Sequence, residues 1–115
     1  MGSLHFYDPG DVPAVPDLPP ISVGALAVGL TNLFGKANGL ALPRSVVINE
    51  TAQEFMLSFT PDADSARVIT AWAMRFGGII DSHVCEVSGS PHRHITLTFD
   101  YYGVTVDAYT FIPLT

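Results

Sequence analysis

The stretch IIDSHVCEVSGSPHRHITLTFDYYGVTVDAYTFIPLT, residues 79–115, decides the fold. Three runs rich in β-branched and aromatic residues, 79–87, 93–101 and 104–112, are separated by Ser88-Gly89-Ser90-Pro91 and by Tyr102-Gly103. This spacing reads as three consecutive strands, because Gly supplies the positive φ of a tight reversal and Pro interrupts a hydrogen-bonded ladder. Tyr102-Gly103 makes a two-residue turn that sets Tyr101 opposite Val104. Ile95, Leu97 and Phe99 then share a face with Val104, Val106 and Ala108, the alternation of a sheet with one buried side. A four-residue turn over 88–91 would set Val87 opposite His92 and Cys85 opposite His94.

Upstream of this meander, Thr60-Pro61-Asp62 resembles a helix start, with a proline in the first turn and early acids at the positive end of the dipole. The helix should run to Phe76 and stop at Gly77-Gly78, with Val68, Ile69, Trp72, Ala73 and Phe76 on one stripe turned to the sheet. Trp72 is read as a core anchor. Before it, SVVIN (45–49) and EFMLSFT (54–60) form a hairpin with Val46, Ile48, Phe55, Leu57 and Phe59 facing inward. Ser22 caps a first helix that reaches about Asn38 and carries Leu26, Leu30, Leu33 and Phe34 at helical spacing. Its other side, Gly24, Ala25, Val28 and Gly29, is also small and apolar, so the helix is either sandwiched in the fold or packed on another protomer. Residues 1–20 hold five prolines between Asp8 and Pro20 and read as an extended arm, anchored by aromatics such as Phe6 and Tyr7. The expected architecture is therefore α+β, one domain over residues 21–115 in the order α-β-β-α-β-β-β. Its antiparallel sheet ends in the three-stranded meander and is packed by helices.

With 115 residues, 48% hydrophobic and 14% charged, the chain can bury a core without staples, and its scarcity of charge points to a shared surface in a homo-oligomer. Its formal charge of −6, with five scattered cations, disfavours nucleic acid, whose affinity rests on neutralised phosphates. The apolar run of the first helix barely approaches the roughly 18–20 residues of a membrane span, so no membrane partner is expected. Cys85 is the only cysteine, and the opening residues lack the basic region of a secretory signal, which together suggest a reducing, cytoplasmic location.

The outward face of the meander gathers His83, Cys85, His92 and His94, with Tyr109 and Phe111 on the next strand. Thiolate and imidazole are zinc's usual ligands, so zinc is the one cofactor this set could hold, either for binding or for a metal-dependent hydrolysis. The two ligand pairs share a face only if the turn length has the right parity, since one residue more or less would flip one pair. Cys85 facing His94 would also be the minimum of a nucleophilic dyad, but no oxyanion hole or cleft accompanies it. Around Gly35-Lys36 the spacing is wrong for a phosphate loop, and Asp81, Ser82 and His83 point to alternate faces and cannot form a triad. No catalytic residue is assigned, and the chain is read as a non-enzyme.

The segments GLALPRSVVI, ADSARVITAWAMRFGG and YYGVTVDAYTFIP occur in an order that resembles small uncharacterised proteins of actinobacteria and their phages. That resemblance, over about residues 40–113, implies a cytoplasmic accessory or regulatory protein and supplies no catalytic residue. The expected function is a non-catalytic protein-interaction module that self-associates through Phe6, Tyr7, Leu26, Leu30, Leu33 and Phe34, with Tyr109 and Phe111 on the meander. A metal-dependent protein centred on the His/Cys set is the alternative, and a phage structural component the third reading.

Overall fold

In the computed structural model, which describes residues 23–114, the elements are α1 (Val23–Lys36), β1 (Ser45–Asn49), β2 (Glu54–Ser58), α2 (Asp64–Phe76), β3 (Ile79–Val87), β4 (Ser90–Tyr101) and β5 (Val104–Pro113). The α+β order expected from the sequence is the observed one. The strands form one sheet in the order β1-β2-β5-β4-β3. Three of its four pairings are antiparallel, and β2 with β5 is parallel. The parallel pair follows from α2. A helix that crosses the sheet returns the chain in the direction it left, so β3 runs the same way as β2 from the far edge. The β4–β5 meander then fills the gap and brings β5 in beside β2.

The meander's two turns are alike. Tyr102 and Gly103 both take positive φ (50° and 82°), as do Ser88 and Gly89 (51° and 80°), the conformation of a two-residue type I′ turn. The first agrees with the sequence reading, with Tyr101 opposite Val104. The second corrects it. The reversal at 88–91 uses two residues instead of four, so Val87 faces Ser90, Cys85 faces His92 and His83 faces His94. Pro91 lies inside β4, where its lost N–H is tolerated and its carbonyl accepts from the Leu114 N–H at 3.1 Å. The correction is two residues, an even number, so each side chain keeps its face.

Both helices cover one face. Phe55, Leu57, Leu97, Phe99, Val106 and Ala108 from the strands are buried together with Leu26, Leu33, Ile69 and Trp72 from the helices. The start of α2 is held by Asp62, whose Oδ1 accepts from the N–H groups of Asp64 (3.0 Å) and Ser65 (3.2 Å), satisfying donors that the first helical turn leaves orphaned. Its stripe closes on the sheet through Trp72, which packs on Phe34, Phe59 and Phe76 and donates its indole N–H to the Ala41 carbonyl at 2.8 Å. Among the described residues no helix is long and apolar enough to cross a membrane. The arm, with Phe6 and Tyr7, lies outside the described residues, as does the Ser22 cap.

The reversal from α2 into β3 is set by Gly78, at φ +110°. A Cβ there would stand 2.4 Å from the Thr98 carbonyl oxygen and 2.8 Å from the Phe99 Cβ. Neither neighbour can yield without moving β4. Gly89 also has positive φ but nothing within 4 Å of a built Cβ. Chemical denaturation should therefore find Gly78→Ala destabilised by about 3 kcal/mol or more, from combined strain and overpacking. Gly89→Ala should lose only about 1–2 kcal/mol, the left-handed penalty alone. Equal losses would show that close approach does not fix this corner.

Candidate functional site

Strand alternation leaves a second face that no described element covers, built from the odd-numbered residues of β3 and β5 and the even-numbered residues of β4. On it the register lines up rows of side chains. One row is His83, His94 and Phe111, and its neighbour is Cys85, His92 and Pro113. The rings in the first row touch. His94 lies flat on Phe111, with centroids 4.2 Å apart and planes 5° from parallel, and takes His83 edge-on at 5.0 Å. Tyr109 meets both His94 and Phe111 edge-on, at 6.3 and 6.0 Å. Beside these rings lies a shallow hollow of about 320 Å³, which Met56 and Asp107 help to line.

All four expected metal ligands thus share one face, but they do not converge. Among the described residues no group of three or more His, Cys, Asp or Glu side chains is placed to hold a metal ion. The reasons are local. Stacking draws the His94 ring toward β5 and away from Cys85. His92 is turned to the tight turn, where its Nδ1 lies 2.8 Å from the Ser90 carbonyl oxygen. A carbonyl only accepts, so Nδ1 carries the proton. His83 has Asp81 as its nearest acid, with Nδ1 to Oδ2 at 3.9 Å and both side chains exposed. The pairing of Cys85 with His94, on which a nucleophilic dyad would have depended, is also corrected, because Cys85 faces His92. Cys85 is a half-buried thiol.

The interaction residues divide. Tyr109 and Phe111 stand half-buried on the open face, where the sequence put them. Leu26 and Leu33 are fully buried in the protomer's own core and offer no surface, while Leu30 and Phe34 are partly buried against that core. The Leu stripe of α1 therefore belongs to the fold. The small side of α1 still faces outward, with Val28 exposed.

A cavity of about 790 Å³ opens on the other side of the molecule between the helix C-termini and the β4–β5 turn, and includes Lys36, Arg75, Asp100 and Tyr101. The Tyr101 hydroxyl nearby is buried without a hydrogen-bond partner, yet it is sealed within the protein instead of facing that space. The cations there are occupied or offset, since Arg75 donates to the Lys36 carbonyl and Asp100 supplies an opposing charge. No sequence signal marks this hollow, because its walls come from elements far apart in the chain. Comparison of the chain with protein-family models, with curated proteins and with solved structures returns no match.

The electrostatics of the ring row have a definite sign. Burial lowers the His94 pKa from its usual value, and His83 lowers it further, while Asp107 and Asp81 oppose the shift. Burial raises the Asp107 pKa, against the Thr98 hydroxyl and His94, which both favour its charged form. A histidine with a depressed pKa binds fewer protons folded than unfolded, so His94 costs stability as pH falls below about 6.5. Asp107 acts oppositely, giving up stability as pH rises above its unfolded value through its raised one. In NMR titrations, His83→Gln should raise the His94 midpoint and Asp107→Asn should lower it. Shifts of the same sign would show that the row does not set the charge of His94.

Proposed function

We propose that the chain is a non-catalytic, self-associating protein-interaction module, with an accessory or regulatory role in an actinobacterial or phage setting. The observation that carries the reading is the one-sided sheet. Its helices cover one face, while the other holds aromatic and thioether groups beside Asp81, Asp100 and Asp107, and β3 forms an edge that no described residue caps. The order of GLALPRSVVI, ADSARVITAWAMRFGG and YYGVTVDAYTFIP supports the setting. A single half-buried thiol suits a reducing compartment such as the cytoplasm.

Sedimentation velocity over rising concentration tests it. The mass should climb from the 12.3 kDa of one chain toward twice that value. A monomer that persists to about 1 mM, where even weak association of about −4 kcal/mol would register, would overturn self-association. Large symmetric particles would replace it with a structural component.

A further inference from the structure

The β3 strand is an edge of nine residues with no proline, lysine or arginine in it. Edge strands are normally blunted by such residues, by bulges or by shortness, because their unpaired N–H and C=O groups are a template for another strand. The opposite edge, β1, is short at five residues. β3 also bears three of the nine exposed large hydrophobic side chains among the described residues: Ile79 (75% exposed), Ile80 (43%) and Val84 (58%). These flank Asp81 and His83.

We propose that β3 pairs antiparallel with β3 of a second copy about a two-fold axis at Ser82, continuing two five-stranded sheets into one of ten strands. This rests on the self-association reading and names its surface. A two-fold axis through an antiparallel pair must pass where a residue faces its own copy, so odd positions face odd and even face even. Both helical layers then lie on the same side, and the ring rows of both copies share the other.

Side-chain pairing selects the register. With Ser82 at the axis, Asp81 faces His83 of the second copy, Ile80 faces its Val84 and Ile79 faces its Cys85, each pair occurring twice. Carboxylate meets imidazole, and apolar meets apolar. Centring on His83 would instead set Ile80 against Glu86, and centring on Val84 would set Asp81 against Val87 and Ser82 against Glu86. Cross-strand pairs of opposite charge or matched apolar character each contribute about 0.2–1 kcal/mol, so the first register, which alone gives Asp81 an imidazole and Ile80 an apolar neighbour, is favoured. At the axis, the Ser82 hydroxyl already accepts from the Arg93 guanidinium at 3.0 Å and keeps its own O–H to donate to the facing serine.

The lone native thiol makes the register measurable. Residues facing each other across antiparallel strands have Cα atoms about 4.5–5.5 Å apart, within disulfide reach. Ile79→Cys, Asp81→Cys and His83→Cys each place a partner for Cys85 in one of the three registers. With oxidised glutathione as oxidant, Ile79→Cys should form a covalent dimer about tenfold faster than the other two, whose shifted thiols lie beyond reach. Wild type should stay uncrosslinked. Faster crosslinking of Asp81→Cys or His83→Cys would overturn the register.

Sedimentation of charge variants keeps the edge itself testable. Asp81→Lys alone and His83→Glu alone should each weaken the dimer, and the two together should restore it to within a few fold. A dimer indifferent to all three would overturn the β3 edge while leaving the interaction reading intact. A wild-type monomer at every concentration would overturn both.

Discussion

The indole of Trp72 sits where every layer of this protein meets. Its ring touches Phe34 of α1, Phe59 just beyond β2 and Phe76 one turn further along α2, and Phe76 stacks in turn on Phe99 of β4. Its N–H binds the Ala41 carbonyl in the connection between α1 and β1. A buried indole N–H without an acceptor would forfeit about 1–3 kcal/mol, so this bond ties the α1–β1 connection to α2. Truncating a buried tryptophan costs about 3–5 kcal/mol, a large share of the roughly 5–15 kcal/mol that holds a domain together. One side chain thus locks both helices to the same side of the sheet.

The open face is a consequence of dimensions. Helices of 14 and 13 residues are each about 20 Å long and about 10 Å across, so side by side they cover a strip about 20 Å wide. Five strands at about 4.8 Å spacing make a sheet of about that width. The helical material described covers the middle of one face and stops short of β3, whose Ile80 and Val84 stand exposed on that side. The exposed side is left to Thr, His, Tyr and Asp side chains that tolerate water, with the His94–Phe111 stack shielding the most apolar part.

Much of this was legible from alternation alone. The β4 and β5 faces were readable because Tyr102-Gly103 admits one tight turn, and the register then follows without long-range knowledge. At Ser88-Gly89 the same chemistry was present but obscured by Pro91, which resembles a loop residue until it is seen at the mouth of a strand. The face assignments survived that misreading because it was even in number. The neighbours did not, and Cys85 exchanged His94 for His92. The pairing of β2 with β5 had no local signal, since it joins segments some fifty residues apart through the path of α2. The fate of the histidines depended on ring stacking with Phe111, a rotamer-level preference that strand periodicity does not encode. Leu26 and Leu33 were correctly seen as an apolar stripe, but periodicity cannot say whether a stripe meets its own sheet or a neighbour's surface.

Hydrogen exchange, resolved by residue at low and high protein concentration, probes the one-sided sheet and its open edge together. The Trp72 indole N–H should stay protected at both concentrations. Alternate β3 amides, those pointing away from β4, should exchange rapidly in dilute protein and gain protection on concentration. A rapidly exchanging indole, or β3 amides equally protected at both concentrations, would contradict a sheet anchored on one side by Trp72 and open along β3.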